Sequence, residues 1–314
     1  MIMNIIEKPK NTGLIQLPDI ELSDIIPYIH WSFYFMAWRI PGKFEGIETA
    51  CDCDSCKTGW LQKFSAEERT KAEEALKLFK DAQAMLREFR DKKVLKINAS
   101  VGIYPAYAVQ DDIVILHNEK EYRIPTLRQQ KPANDGFCYS LADFINPEGD
   151  YIGVFANTVL GVEEFADEYE KNDDVYSALI AKTLSDRIAE ATAEWLHYKV
   201  RKEIWGYAPD EVEDIEEMFK VHYRGIRPAI GYPSLPDQSV IFELDDLIKF
   251  DLTGIKLTEN GAMYPTASVC GLYFAHPKSK YFMIGKIDEK QLIDYAQRRG
   301  KSPEEIRKWL IANL

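Results

Sequence analysis

Long apolar runs are missing from this sequence. None approaches the roughly 20 residues that a bilayer-spanning helix needs, and the first residues, Met1-Ile2-Met3-Asn4-Ile5-Ile6-Glu7-Lys8, lack the apolar core and cleavage site of a secretory signal. A cytoplasmic, non-membrane protein is expected. Positive charge is also scarce: 39 basic residues stand against 51 acidic ones, a formal charge of -12. That excludes the dense basic face nucleic acid requires and favours docking on a neutral or basic partner surface. Five cysteines, an odd number, suit a reducing compartment rather than a disulfide framework. Internal repeats and low-complexity linkers are absent, and the longest polar stretch, from about Pro209 to Glu217, reads as a loop entering a helix. With 46% hydrophobic residues in a chain of 314, there is ample material for a core, and one domain is expected.

Periodicity supplies the elements. Ser65-Ala66-Glu67-Glu68 is a capping box, and Ala72, Ala75, Phe79, Ala82, Leu86 and Phe89 follow at helical spacing, so a helix is predicted from about Ala66 to Arg90. The period then changes to two. Val101 to Tyr104, Asp112 to Leu116 and Glu121 to Ile124 read as strands, the last two forming a hairpin, and Tyr151 to Val159 as another strand. Ile180, Leu184, Ile188, Ala191 and Trp195 make the apolar stripe of a second helix, about Val175 to Trp205. Strands are expected near Ser268 to Phe274 and Tyr281 to Ile287. Two short helices should follow, with capping boxes Asp288-x-x-Gln291 and Ser302-x-x-Glu305. Strands are grouped and helices are not regularly interleaved, which favours α+β with a largely antiparallel sheet and flanking helices.

The most informative segment is Arg227-Pro228-Ala229-Ile230-Gly231-Tyr232-Pro233, preceded by Tyr223-Arg224-Gly225-Ile226. Pro228 fixes its own φ, removes a donor and biases Arg227 toward extended backbone, leaving Gly231 free to turn. An Arg fork suits a carboxylate or phosphate, and a ring face a nucleobase or cation. The plain alternative is a Pro-rich connector whose Arg pairs with a surface carboxylate.

Arg-Pro-Ala-x-Gly-Tyr-Pro followed by Pro236-Asp237 resembles the activation (reactivation) domain of cobalamin-dependent methionine synthase. Other pieces match in the same order: Trp31 to Trp38, Leu127 to Gln130, Leu141 to Phe144, Asp150 to Gly153, Asp186 to Ala191, Val200 to Pro209, Leu257 to Glu259 and Tyr273 to Tyr281. The similarity runs from about residue 16 to the end, leaving residues 1–15 as an N-terminal extension. It implies a C-shaped single domain with a twisted antiparallel sheet.

The resemblance further implies a groove that binds S-adenosylmethionine and presents its methyl group to cobalamin carried by a partner, with one-electron reduction by a flavodoxin-type protein. Positioning then supplies most of the catalysis, and no general base is expected. By the family pattern, Arg227 takes the ligand's carboxylate, Ala229 and Tyr232 flank the nucleoside, and Tyr281 is the second binding tyrosine. Asp186, Arg187 and Glu190 match residues near the groove and partner interface; Arg187 and Glu190, three apart, also fit a solvent-exposed ion pair.

Two positions depart from the pattern. The family's ammonium-binding Asp before Trp31 is His30 here, which accepts one hydrogen bond when neutral and repels an ammonium when protonated. Gln238 stands where the family has His. Between Gly42-Lys43-Phe44 and the first long helix, an insertion at about 45–64 holds Cys51, Cys53 and Cys56. Three thiols fit a soft metal but lack a nearby fourth ligand, and a surface loop with reduced thiols is the plain alternative. The first reading is a free-standing chain that reactivates a separate cobalamin-dependent methionine synthase, or another corrinoid protein, as its methyl-donor-binding component. The second is a docking module that has lost the small ligand. A third, metal or redox sensing, rests on the three cysteines.

Overall fold

Two tight turns organise the strands. Between β2 (Lys96–Val109) and β3 (Asp112–His117), Gln110 takes a positive φ of 55°. Between β3 and β4 (Lys120–Pro125), Asn118 and Glu119 take φ of 49° and 62°, the handedness that lets a two-residue loop follow the strands' twist. The expected hairpin is therefore present, paired antiparallel from Asp112↔Pro125 to His117↔Lys120.

The computed structural model describes residues 6–50 and 53–314. They form two units, one from residues 6–18, 98–158 and 193–314, the other from the described residues of 19–97 and from 159–192. Neither is contiguous in sequence, and every boundary falls inside a strand or helix, which is why no composition shift marks them.

The principal sheet adds β1 (Gly13–Ile20), β5 (Asp150–Leu160) and β8 (Ser268–Tyr273). Its order is β4-β3-β2-β5-β8, with β1 pairing on β2. Short strands β6 (Lys256–Leu257) and β7 (Met263–Tyr264) form a separate pair. The ladders β2–β3, β3–β4 and β5–β8 are antiparallel, so the α+β class with a largely antiparallel sheet holds. In the first unit Ile113, Ile152, Val154, Leu244, Leu272 and Phe274 share one fully buried cluster, each such side chain contributing about 1.5–3 kcal/mol by leaving water.

In the second unit the helix Ala66–Asp91 begins where predicted, the Glu68 carboxylate accepting the Ser65 N–H (3.2 Å) and hydroxyl (2.8 Å). Its apolar face buries Ala72, Ala75, Phe79, Ala82, Leu86 and Phe89. Trp31 meets Phe79 edge-on at 4.7 Å, and the hydroxyls of Tyr169 and Tyr176 donate to Glu88 (2.6 Å) and Asp81 (2.8 Å).

Three expectations need correction. Tyr281 to Ile287 is not a strand. Gly285 takes φ 71°, and the backbone groups find scattered partners: Ile284 N–H donates to the Pro233 carbonyl (2.9 Å), Ile287 N–H to that of Asn313 (2.8 Å). The second long helix is α-helical over Val175–Lys199 and then widens to a π-turn over Val200–Ile204. The capping boxes of the last two helices, Glu289–Arg298 and Pro303–Trp309, are half made. Asp288 and Ser302 accept from the N–H of Gln291 and Glu305, but the Gln291 side chain accepts from the Arg128 N–H (2.8 Å) and Glu305 pairs with Lys301. The described part of residues 1–15 bonds within the first unit: the Glu7 carbonyl accepts from the Trp205 indole (2.7 Å), and Lys10 N–H donates to the Trp205 carbonyl (3.0 Å).

Asp237, 1% exposed, accepts from Ser239 N–H (2.9 Å), Ser239 Oγ (2.6 Å) and Tyr295 Oη (2.8 Å) and pairs with Arg299 at 3.4 Å. Removing it takes the buried carboxylate from the Arg299 guanidinium, 2% exposed, and leaves it only the more exposed Glu243 at 3.3 Å. Asp237→Ala should lower unfolding free energy by about 3–5 kcal/mol, read from urea denaturation; a loss below about 1 kcal/mol would contradict this account.

Candidate functional site

Residues 226–230 are extended backbone laid along the free edge of β8. Ile226 and Phe274 exchange both N–H···O bonds (3.1 and 3.0 Å), Leu272 N–H donates to the Pro228 carbonyl (3.0 Å), and Ile230 N–H to that of Cys270 (3.0 Å). Pro228, which cannot donate, supplies only an acceptor. So close is this approach that a Cβ on Gly271 would stand 2.4 Å from the Pro228 oxygen and 2.9 Å from the Ala229 Cα. Gly231, at φ 82°, then turns the chain, its N–H donating to the Leu235 carbonyl (2.9 Å). Gln238 packs beneath this turn, donating to the Gly261 carbonyl (2.8 Å); a Cβ on Gly231 would meet its Oε1 at 2.3 Å. In this unit, then, Gln238 supports the motif's turn.

The site residues of the first unit follow from that path. Arg227 is brought to Tyr281, whose hydroxyl accepts the Arg227 backbone N–H (2.9 Å). Its guanidinium enters a charged, aromatic wall, donating from Nη2 to Glu194 Oε2 at 2.7 Å, the two side chains 16% and 11% exposed. Burial opposes the charged form, yet Glu194, Tyr281 and Tyr223 hold Arg227 protonated well above the ordinary arginine value. Ala229 is buried with its backbone bridged to Gly271. The Tyr232 ring is 53% exposed and that of Tyr281 42%, so both offer a face to solvent.

Sequence reasoning overlooked the wall behind Arg227. Glu194, His197 and Arg201, spaced i, i+3 and i+7, share one helical face. Arg201, fully buried, makes a bidentate pair with Glu211 (2.6–3.0 Å) and lies 4.1 Å from the Tyr223 ring centroid. His197 stacks on Tyr273 (5.2 Å, 14°), meets Tyr223 edge-on, and its Nε2 lies 3.3 Å from the Tyr207 hydroxyl. The available signal was three polar side chains recurring at helical spacing, i, i+3 and i+7, at the end of the long helix. A cavity of about 350 Å³ elsewhere in this unit, lined by Phe242, Asp245, Phe250, Asp251, Ile255 and Leu257, holds none of the expected residues.

The remaining expected residues belong to the second unit. His30 is the N-cap of the helix Trp31–Ala37 without a side-chain cap bond, its ring 4.5 Å from that of Phe33. Asp186, Arg187 and Glu190 are half-buried on the long helix; burial pushes the Asp186 carboxyl up, and Arg187 pulls it back. Arg187 Nε is buried without a hydrogen-bond partner. Cys51 lies outside the described residues. Cys53 caps the helix Asp54–Leu61, its sulfur accepting the Cys56 N–H (3.3 Å). Among the described residues no three His, Cys, Asp or Glu side chains cluster to hold a metal ion.

Arg128, from one of the matching pieces, is consumed structurally. Its guanidinium bonds both Asp111 and Asp143 (2.6–3.3 Å) and the Cys138 carbonyl (2.7 Å).

The first unit is thus an α+β fold that lays an Arg-Pro-Ala-x-Gly-Tyr segment along a sheet edge, its guanidinium buried against Glu194 and the Tyr232 and Tyr281 side chains half-exposed. The family profile described as vitamin B12 dependent methionine synthase, activation domain, matches residues 21–300, and the chain belongs to that family. It is similar to a crystal structure of the MetH reactivation domain bound to AdoHcy, at 38% identity and a TM-score of 0.87, covering 98% of this chain and 92% of that one.

The His197 imidazole is held well below its ordinary value of 6.5, first by burial and then by the charges of Arg201 and Arg227. The unfolded chain therefore takes up a proton near pH 6.5 that the folded chain refuses. Stability from this group is complete above that pH and falls as pH drops through it, by up to about 1.4 kcal/mol per pH unit. Its facing groups, Arg201, Arg227, Tyr207, Tyr223 and Tyr273, do not change charge in this range. The unfolding free energy of wild type should thus fall relative to that of His197→Phe as pH drops from 6.5 to 5; parallel curves would show that His197 titrates normally. Gly271→Ala should cost about 1–3 kcal/mol through overpacking against Pro228, seen as a lowered urea midpoint with unchanged slope.

Proposed function

We propose that this chain binds S-adenosylmethionine and serves in trans to reactivate a separate cobalamin-carrying methionine synthase. The observation that carries the reading is Arg227, its N–H bonded to Tyr281 within a segment paired to β8 that also carries the exposed Tyr232, in a chain 38% identical to a reactivation domain seen with AdoHcy. The residues present fit such a ligand. A buried guanidinium with an unpartnered Nε is suited to a carboxylate, and two half-exposed tyrosine rings suit a nucleoside. When bound, S-adenosylmethionine supplies an activated methyl group. The chain's own task is to bind and orient it, so no general base is required. The cobalamin belongs to the partner, and a flavodoxin-type reductant would supply the electron; both follow from the family's chemistry alone.

A second reading, a docking module without small ligand, is favoured by His30 in place of an acid. It also draws on apolar exposure in the second unit: Phe33 (50%), Met36 (57%), Val175 (66%) and Leu179 (49%). Among the described residues no helix is long and apolar enough to cross a membrane, and a protein partner is the natural cover for this surface.

Titration calorimetry separates the readings. Wild type should bind S-adenosylmethionine and S-adenosylhomocysteine saturably, and Arg227→Ala should weaken both by about ten- to a hundredfold, the worth of a charge-assisted hydrogen bond. His30→Asp should tighten binding by a similar factor. Because position 30 is an N-cap, that substitution also stabilises the following helix by about 0.5–2 kcal/mol, so stability must be measured alongside. Absence of wild-type binding at millimolar ligand would give the docking reading precedence.

A further inference from the structure

We infer that Glu194 is the positioning residue that aims Arg227, and thereby the residue that makes the site select ligands bearing an amino-acid tail over tail-less nucleosides. The inference rests on the reading that Arg227 receives a ligand carboxylate.

The argument begins with what Glu194 costs. It is 9% exposed, yet only Oε2 is engaged, by Arg227 Nη2 at 2.7 Å, while Oε1 is buried without a hydrogen-bond partner. A half-satisfied buried carboxylate is an expensive way to stabilise a fold, and an apolar residue of similar volume usually does as well. What the carboxylate does provide is direction. An arginine side chain gives up considerable rotamer freedom when it is fixed, and a guanidinium recognises a carboxylate through a planar fork whose orientation decides whether two parallel bonds can form. The other charged groups in the wall cannot supply this. Arg201 is occupied by Glu211, and His197, stacked on Tyr273, is held neutral. The Arg227 backbone is fixed separately, through Tyr281 and the β8 edge. The main chain thus places the residue, and Glu194 turns its head group, leaving the rest of the fork for an incoming carboxylate.

The position also separates this role from simple packing. A residue that merely filled space would affect every ligand of the site alike. One that aims Arg227 affects only ligands carrying a carboxylate.

The test uses the full chain and calorimetry with two probes, S-adenosylhomocysteine and 5′-methylthioadenosine, the latter lacking both carboxylate and ammonium. Glu194→Ala should weaken S-adenosylhomocysteine about ten- to a hundredfold and leave methylthioadenosine within about threefold. Glu194→Gln, which keeps an acceptor for Arg227 and the side-chain volume, should recover most of the loss; it also covers the case that the alanine variant does not fold, judged by near-ultraviolet circular dichroism. Equal weakening of both probes would overturn the inference in favour of packing. So would unchanged affinity in Glu194→Ala while Arg227→Ala still loses S-adenosylhomocysteine, a result that leaves the underlying reading standing. If wild type binds methylthioadenosine and S-adenosylhomocysteine equally, Arg227 takes no carboxylate, and both fall together.

Discussion

The placement of residues 226–230 against β8 determines everything else in the first unit's site. A segment with two prolines and a glycine within six positions cannot form a helix, and as a solitary extended strand it would leave its polar groups unmatched. The edge of β8 resolves this only because position 271 carries no side chain: the Pro228 oxygen occupies the space where a Cβ would be. Once that apposition is made, Arg227 and Ala229 face defined directions, Gly231 can reverse the chain, and Tyr232 is carried outward. Gly225, at φ 83° with the Tyr207 hydroxyl and the Phe274 carbonyl within 2.7 Å of a notional Cβ, admits the segment at its other end.

The wall behind Arg227 has a distinct logic. Two guanidinium–carboxylate pairs, Arg227–Glu194 and Arg201–Glu211, flank an imidazole held neutral by burial and by those same cations. Desolvating four charges costs several kcal/mol each before pairing offsets it, so net stability is a poor reason for their presence. Orientation is a better one. The Tyr223 ring lies against Arg201 and is hydrogen-bonded to Tyr281, and Tyr281 in turn accepts from the backbone of Arg227. Each group is thereby located by two neighbours, which is what a site that works by positioning requires.

Much of this could be read in the residues, and the failures have physical causes. The hairpin at Asn118-Glu119, the helix from Ala66 and the strand Asp150–Leu160 follow from local period and caps, which act within a few residues. Tyr281 to Ile287 alternates like a strand, but its partners, Pro233, Asn313 and Gln129, come from separate parts of the chain, and alternation cannot tell a ladder from scattered acceptors. Gln291 fits a capping box, yet its side chain accepts the distant Arg128 N–H, and the Asp288 N–H donates to Gln130 instead. At the site, the exposed half of the motif was legible because Arg, Pro, Gly and Tyr are chemically conspicuous. Glu194 was not, since a glutamate in a long helix ordinarily lies on a solvated face and only the tertiary structure shows it turned inward.

The π-turn completes the account of that inward face. At 100° per residue Arg201 falls within about 20° of Glu194, so the stripe that carries Glu194 and His197 runs on to the start of the widened turn. Widening at Val200–Ile204, with Trp205 and Gly206 N–H both donating to the Val200 carbonyl (2.9 and 3.1 Å), inserts an extra residue into the turn. Arg201 and Trp205, on either end of this turn, are both 0% exposed. A π-turn forfeits regular hydrogen bonding and persists only where something compensates. Here the bidentate Glu211 pair and the Trp205 indole bond to Glu7 do so.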